Sequence, residues 1–378
     1  MVDYIDCYPE YLKLEKIIRI FIKILDFSFL RLHFLHGYEK YIHPIFLIYC
    51  LISCVFTLVY YERNIMLFVL NIMMTVGVLQ ICSKTTSIVT NSNDLNVLLL
   101  FIQQIHKVHE IDFIRNSSEI HLTKILRITK QIIRKFIFPV WFTTGIAMFF
   151  YFAYYDVILL GVPGIILEPR STTMPFYQHI HQSFLMVEVV GCLIFVDMIL
   201  ITFGLYFTAI TNVFCYTIRS LDNSKLCDIT QLLINIHQFH CTLLQKYQLL
   251  NEIFGYTFTI QTATSLVYIL FIFYLLRSEE AIVFIPLFIT ILTQFGVLCI
   301  FGEFLFSKTE GLAVELYLTK WYDFSIKEQK TLLMMMYMAK RPFGLKAAGM
   351  YDINLYIFIQ VIKTGISFCA ILYTFSDY

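Results

Sequence analysis

The sequence contains few charged residues. Asp, Glu, Lys and Arg make up 15% of its 378 residues, whereas a soluble globular domain carries roughly a quarter. Hydrophobic residues make up 58%, and the mean hydropathy is +0.72. So few charges cannot cover the surface of a soluble protein of this length, and the composition indicates a polytopic membrane protein. The net charge of +1 predicts no nucleic-acid partner.

Signatures of other protein classes are also missing. The N-terminal segment has no compact apolar core followed by a small-residue cleavage site, so we expect no removable signal peptide. No internal repeat is visible, which disfavours the inverted-repeat transporters. Aromatic residues, by contrast, are abundant at 17%. Their large rigid surfaces suit membrane interfaces and pockets for small apolar ligands.

Seven apolar segments are near the length of about 20 residues that a hydrocarbon core requires. Between some of them, apolar residues recur at helical spacing among charges, which predicts helical extensions outside the membrane. We predict an all-α membrane protein in which residues 1–378 form one domain with seven transmembrane helices and a helical cytoplasmic anchor domain. The spans are about 44–61, 65–82, 136–160, 184–211, 255–276, 281–306 and 352–375, and the anchor segments about 91–135, 212–254 and 307–351.

The 28 Lys and Arg residues are distributed unevenly around these spans. With a cytoplasmic N-terminus, nearly all of them lie in cytoplasmic segments, including Lys84 after the second span. Only Arg63, Arg170 and Arg277 fall in extracellular segments, and Lys363 lies within the last span. The positive-inside rule therefore predicts a cytoplasmic N-terminus and an extracellular C-terminus. G-protein-coupled receptors have the opposite orientation, and their Asp-Arg-Tyr and Asn-Pro-x-x-Tyr motifs are absent from the third and seventh spans.

Histidine and cysteine patterns give weak indications of chemistry. The pairs His106/His109 and His237/His240 have the i, i+3 spacing that can place two metal ligands on one helix face. The clustered boxes of a membrane di-iron oxidase are absent, so packed or solvated helix faces are favoured and no metal is expected. None of the ten cysteines lies in a predicted external loop, which favours packed or reduced thiols over disulfides.

Polar residues near the fourth span are more informative. An ionisable group inside a span is costly and is expected to face protein or water. Glu188 and Asp197 could tune a ligand pocket or form interhelical hydrogen bonds, and we favour the hydrogen bonds. The preceding loop, 161–178, contains three prolines and is expected to be a compact non-helical lid. His179 and His181 could line a vestibule there or simply be exposed.

The last third of the chain resembles the insect odorant receptor family. The resemblance lies in WYDFSIKEQKTLLMMMYMAKRPFGLKAAGMYDINLYIFIQVIKTGISF, which begins at Trp321. It includes an aromatic pair before a short linker, a lysine-flanked LL-M-M helix, a basic-Pro turn, an Ala-Gly and a polar start to the last span. Gustatory receptors and the odorant co-receptor tend to end in Thr-Tyr, five apolar residues, Gln and an apolar residue. This chain reads Ser367-Phe368, CAILY and Thr374-Phe375 instead, which favours a ligand-selective odorant receptor.

The resemblance implies a ligand-gated, non-selective cation channel. Four subunits would surround a central pore lined by the last helix of each, and the anchor helices would carry most intersubunit contacts. Lys363, Ser367, Ile371 and Phe375 share one stripe of that helix, because they are four residues apart. If the stripe faces the pore, Ile371 and Phe375 form an apolar gate and Ser367 offers a hydroxyl to ions. Lys363 would lie in the wet inner pore or, alternatively, snorkel at the helix seam.

The family likeness also implies a pocket for a small volatile odorant in the outer half of the helix bundle. Such a pocket should be apolar with few polar groups, and odorant binding would shift a closed–open equilibrium. The candidate odorant-binding residues are Phe68, Ile72, Phe149, Phe152, Tyr155, Met186, Val190, Tyr268 and Phe288.

The implied setting is the plasma membrane of an olfactory neuron. The expected partners are the odorant, membrane lipid and an odorant co-receptor in a heterotetramer, with a homotetramer also possible. No cofactor and no enzymatic activity are expected. A gustatory receptor of the same superfamily and a membrane-embedded enzyme or transporter using the histidine pairs and span-four acids remain alternatives.

Overall fold

The computed structural model describes residues 4–28, 38–60, 65–107, 112–165, 175–219, 221, 229–276, 281–347 and 349–376. Eleven α-helices and one short hairpin lie in these ranges. The helices are α1 (Tyr8–Leu25), α2 (Ile42–Tyr60), α3 (Ile65–Thr90), α4 (Ser92–Ile105), α5 (Asp112–Ile132), α6 (Phe138–Tyr154), α7 (Phe176–Arg219), α8 (Ile229–Leu275), α9 (Ala281–Tyr317), α10 (Ile326–Ala339) and α11 (Leu355–Ser376). Strands β1 (Lys346–Ala347) and β2 (Tyr351–Asp352) pair antiparallel.

The apolar helices confirm the predicted all-α membrane architecture. Among the described residues, six helical segments are long and apolar enough to cross a membrane: 38–60, 65–90, 118–154, 176–219, 229–275 and 284–317. The shorter apolar helix α11 supplies the seventh. Helix α5 runs into α6 through a π-helical turn, Ile133–Ile137. Helices α7, α8 and α9 are each much longer than a bilayer requires, so they carry predicted spans and anchor segments without a break.

Helix α7 forms the centre of the bundle. Every side chain from 196 to 207 is buried, as expected for a helix that is apolar on all sides. Gly204 allows this burial, because a Cβ there would come within 2.9 Å of the Phe301 ring on α9. Helices α3, α5, α6 and α9 pack around α7. The C-terminal helix α11 packs on α8 and α9 at one side of the bundle.

The predicted third span extends too far. The span was expected to reach residue 160, but α6 ends at Tyr154. Asp156 adopts a left-handed backbone conformation, with φ of 54°, and the Val157 amide donates to the Phe152 carbonyl over 2.9 Å. This is the geometry of a Schellman helix end. The chain therefore leaves the helix six residues early and forms a loop that runs beside α7.

Lys84 is not in a loop, contrary to the sequence prediction. Helix α3 continues to Thr90, and the Lys84 side chain is fully buried. Its Nζ lies 2.6 Å from Oδ1 of Asp197 on α7, and Nε2 of Gln294 on α9 donates to Oδ2 of Asp197 over 2.7 Å. A buried charge is tolerated when it is paired and hydrogen-bonded. Asp197 thus forms the interhelical bonds that were favoured for it.

Aromatic and polar contacts fix several segments outside the predicted spans. The amphipathic helix α1 packs on α7, and its Tyr11 ring stacks on His106 at 4.2 Å between ring centroids. Ser325 and Glu328 form a capping box at the start of α10. Asn251 on α8 donates to the Gly344 carbonyl and accepts from the Lys346 amide, which fixes the hairpin against α8.

Candidate functional site

An apolar cavity of about 140 Å³ lies among five of the membrane helices. Cavities of about 150 Å³ with aliphatic and aromatic walls remain dry and bind benzene-sized molecules. Several lining residues are methionines, whose flexible side chains adapt to irregular ligands. The lining comprises Leu70, Met73, Met74, Gly77, Val78 and Ile81 of α3; Trp141, Thr144, Gly145, Met148 and Phe152 of α6; Leu159; Met186, Val189, Val190 and Leu193 of α7; Tyr268 of α8; and Leu287 and Thr290 of α9.

Two glycines create space at the cavity wall. A Cβ on Gly77 would overlap the hydroxyl of Tyr268, so only glycine at this position lets the Tyr268 ring cross from α8 to α3. A Cβ on Gly145 would lie 3.4 Å from a methyl of Val190, which is an ordinary contact. A larger side chain at Gly145 would therefore occupy the cavity without disturbing the backbone.

The lining residues carry four polar side-chain groups, namely the hydroxyls of Thr144, Thr290 and Tyr268 and the indole Nε1–H of Trp141. The hydroxyls of Thr144 and Thr290 lie 2.6 Å apart, and each also reaches a helix carbonyl of its own helix, Val140 and Pro286 respectively. These two groups are therefore satisfied within the protein. The Tyr268 hydroxyl has no hydrogen-bond partner within the described part of the chain. This hydroxyl and the buried Nε1–H of Trp141, which also has no partner among the described residues, are the groups of the lining residues free to bond a polar atom of a ligand.

The loop after α6 closes one end of the cavity through Leu159. Oε1 of Gln182 on α7 accepts the amides of Leu159 and Leu160, at 2.6 and 3.1 Å, and its Nε2 donates to the Val157 carbonyl. Oγ1 of Thr57 on α2 accepts the Gly161 amide. These bonds satisfy backbone groups that a buried loop would otherwise leave unpaired.

The lid predicted for 161–178 is in part this loop. Residues 161–165 are non-helical, 166–174 lie outside the described residues, and α7 already begins at Phe176. The two histidines of this region hold the loop rather than line the cavity. His179 pairs with Asp156 at 2.6 Å, and Nδ1 of His181 lies 3.0 Å from the Leu160 carbonyl oxygen.

Four of the nine predicted odorant-binding residues line the cavity, namely Phe152, Met186, Val190 and Tyr268. The other five, Phe68, Ile72, Phe149, Tyr155 and Phe288, lie elsewhere. Phe68, Phe149 and Tyr155 are exposed on the outer surface of the helices, and Phe288 packs against Phe273. Their odorant-binding role stays a prediction from the sequence, and their positions do not join them to this cavity.

Four lining residues of α6 that the sequence prediction did not include share one helix face with the predicted Phe152. On α6, Trp141, Thr144, Gly145, Met148 and Phe152 have the i, i+3, i+4, i+7 and i+11 spacing of one helix face. The predicted Phe149 is 43% exposed and does not line the cavity. The helical spacing of the residues that precede Phe152 predicts this face, whereas aromatic character alone does not.

On α11, the proposed pore stripe points away from the rest of the chain. Lys363, Ser367 and Ile371 are exposed, and the side chain of Phe375 is outside those described. The opposite face packs inward. A Cβ on Gly365 would overlap Ile269 of α8, and Phe358 lies against Phe295 of α9 at 5.7 Å between ring centroids.

The histidine pairs are placed as packed helix residues. His106 is buried beside Tyr11 with Nδ1 2.8 Å from the Ile102 carbonyl oxygen, and burial lowers its pKa to about 4. His109 lies outside the described residues. His240 is buried and stacks on Phe214, while Nε2 of His237 lies 3.9 Å from the Cys241 sulfur.

Comparison with known proteins places this architecture in a family. The family model described as 7tm Odorant receptor matches residues 64–366, which is most of the chain. Odorant receptor 49a of Drosophila melanogaster is 30% identical over 93 residues, and this match covers 25% of the chain and 24% of that relative. The matched stretch thus spans about a quarter of the relative's length.

Solved structures share the fold across nearly the whole chain. The insect olfactory receptor OR5 from Machilis hrabei in complex with eugenol has a TM-score of 0.79 at 16% identity, covering 98% of this chain and 100% of that one. Another structure of the same receptor has a TM-score of 0.73, covering 97% and 99%. Receptors, not enzymes, are the relatives found. The chain is therefore a multi-pass membrane protein that belongs to the insect odorant receptor family.

Proposed function

We propose that this chain is the odorant-binding subunit of a ligand-gated, non-selective cation channel, and that its odorant occupies the cavity between α3, α6, α7, α8 and α9. The observation that carries the proposal is the cavity itself, which combines apolar walls with one unpartnered hydroxyl, on Tyr268. This lining suits a small, mostly apolar volatile with one oxygen atom. The carbon skeleton would contact the methionines and leucines, and the oxygen would bond the hydroxyl.

A contact between α8 and α11 offers a route from the cavity to the pore. Tyr268 lines the cavity, and the next residue, Ile269, packs against Gly365 of α11. A ligand that shifts the Tyr268 ring would therefore change the packing of α11 directly. The exposed stripe of Lys363, Ser367 and Ile371 supports a pore surface completed by other subunits. Phe375 would extend that stripe by one more turn.

The assembly and location follow from the same proposal. The chain would sit in the plasma membrane, with its N-terminus in the cytoplasm and its C-terminus outside. It would form a heterotetramer with an odorant co-receptor, or a homotetramer, with lipid around the bundle. A gustatory receptor is the second candidate, and water-soluble rather than volatile agonists would identify it.

The proposal is tested by whole-cell current in cells expressing the chain with and without an odorant co-receptor, against a panel of volatiles. We expect odorant-evoked cation current that Gly145→Leu reduces at least tenfold, because the new side chain fills the cavity. Gly191→Leu is the matched control, since a Cβ on Gly191 meets no atom within 4 Å and Gly191 does not line the cavity. Equal loss in both variants, or full response of Gly145→Leu with surface expression confirmed, would contradict the cavity as the odorant site.

A further inference from the structure

A mixed cluster of ligating side chains lies outside the cavity, where α2 meets α7. His43 is in the first turn of α2, and Glu188 and Cys192 are one turn apart on α7. Nδ1 of His43 contacts Oε1 of Glu188. The sulfur of Cys192 lies 3.5 Å from that oxygen and 4.0 Å from Nδ1. In the described ranges this group brings three different ligand atoms within 4.8 Å of one another.

The hydrogen bonds of His43 determine what this cluster lacks. Nε2 of His43 lies 3.0 Å from the Ile24 carbonyl oxygen, which can only accept, so Nε2 carries the proton. In the neutral ring Nδ1 then presents a lone pair to Glu188. An ionised carboxylate also only accepts, so two acceptors face each other. A proton, held by the imidazole or by the carboxyl group, or a metal cation bound to both would resolve this arrangement.

The surroundings favour a metal ion. The side chains of His43 and Glu188 are 10% and 25% exposed, and Cys192 is buried, so the cluster is enclosed on most sides. A backbone carbonyl that holds the second nitrogen of a histidine is the usual support of a metal-bound imidazole. A carboxylate and a thiolate also neutralise a divalent cation, which leaves no net charge to be buried.

The donor set selects among metals. Nitrogen, sulfur and oxygen donors together suit zinc. Zinc bonds are about 2.0 Å to nitrogen or oxygen and 2.3 Å to sulfur, so tetrahedral angles separate sulfur from the other two donors by about 3.5 Å. The sulfur distances of 3.5 and 4.0 Å are close to that value. Nδ1 and Oε1 contact each other directly, so they would have to separate to about 3.3 Å to admit the ion. We propose that His43, Glu188 and Cys192 form a zinc site with three protein ligands and an open fourth position.

A bound ion would join three parts of the molecule. It would link α2 to α7 directly, and the His43 bond to the Ile24 carbonyl would include the end of α1. On α7 its two ligands alternate with residues that line the cavity, such as Met186 and Val190. Zinc would therefore fix the position of one cavity wall. The thiol must release its proton to the solvent when the metal binds, so binding should strengthen as pH rises.

The test is a Co²⁺ titration of the purified full-length receptor in detergent, followed by displacement with Zn²⁺. We expect about one Co²⁺ per chain with a thiolate-to-cobalt charge-transfer band, which Zn²⁺ abolishes. Cys192→Ser should remove the band, and His43→Gln should weaken binding at least tenfold. The matched control is Cys241→Ser, because Cys241 lies beside His237 and offers the competing sulfur–nitrogen pair.

Each outcome decides the proposal. A wild-type receptor without the band, a band that persists in Cys192→Ser, or a band lost in Cys241→Ser would overturn it, and the first of these leaves an imidazolium–carboxylate pair as the explanation. Should Cys192→Ser fail to fold, X-ray absorption at the zinc edge of the wild-type protein gives an independent answer. One sulfur ligand at about 2.3 Å is expected, and a zinc shell of nitrogen and oxygen alone would overturn the site.

Discussion

The buried pair of Lys84 and Asp197 gives a quantitative prediction about stability. The two side chains are 0% and 4% exposed, and their charged atoms are 2.6 Å apart. Removing one partner of such a pair leaves an uncompensated buried charge, at a cost of about 3–5 kcal/mol. With an unfolding entropy of about 2.1 cal/mol/K per residue, either Lys84→Met or Asp197→Asn should lower the apparent Tm by roughly 4–6 °C.

A double variant distinguishes the loss of the ion pair from the loss of side-chain packing. Lys84→Met with Asp197→Asn removes both charges and retains an oxygen to accept the Gln294 amide, so most of the lost Tm should return. The assay is thermal unfolding in detergent, followed by fluorescence-detected size-exclusion chromatography. The control is Arg219→Gln, which breaks an exposed pair with Glu315 and should change the Tm little. A double variant as unstable as the sum of the single variants would refute the ion pair.

Three further predictions follow from individual residues. Tyr268→Phe should weaken responses to oxygen-bearing odorants about tenfold while leaving responses to hydrocarbons unchanged, which dose–response currents would reveal; equal weakening of both would contradict the hydroxyl contact. Gly302→Ala should destabilise the receptor, because a Cβ there overlaps the Ile353 carbonyl oxygen, whereas Gly311→Ala on the same helix should not, as thermal unfolding of the two would show. Folding lowers the pKa of His106 from its ordinary value of 6.5 to about 4. Between these two pH values the unfolded chain binds a proton that the folded protein does not, so stability should fall as pH drops from 6.5 to 4. The loss should be about 1.4 kcal/mol per pH unit and absent in His106→Phe, and an unchanged pH dependence in that variant would contradict it.

Much of the architecture follows from apolar length alone. Each span contains enough apolar residues to cross a membrane, and that property does not depend on the partners of the helix. The continuity of α7, α8 and α9 beyond the membrane also follows from apolar spacing. The end of α6 was not predicted, because residues 157–160 are as apolar as a span. The loop is stabilised by Gln182, whose amide group satisfies three backbone groups of that segment.

Long-range pairing explains the other differences. The sequence predicts Lys84 in a loop, because a hydropathy pattern cannot show that Asp197, 113 residues away, will pair with its charge. The same limit applies to the metal cluster, where His43 and Glu188 are 145 residues apart. For the cavity, the apolar composition of a span does not show which helix face lines it. Selecting aromatic residues identified Phe152 and Tyr268 but missed Gly77 and Gly145, which contribute by having no side chain.

Tryptophan fluorescence tests the central claim most directly, namely that the cavity holds the odorant. The chain has two tryptophans, Trp141 in the cavity wall and Trp321 in the anchor, so Trp321→Phe leaves one reporter. A brominated volatile titrated into this purified receptor should quench the Trp141 emission with saturation, because a heavy atom in the cavity would contact the indole. Gly145→Leu should abolish the saturable component, whereas Gly191→Leu should retain it. Quenching that rises linearly without saturation, or that is identical in the two glycine variants, would contradict the account.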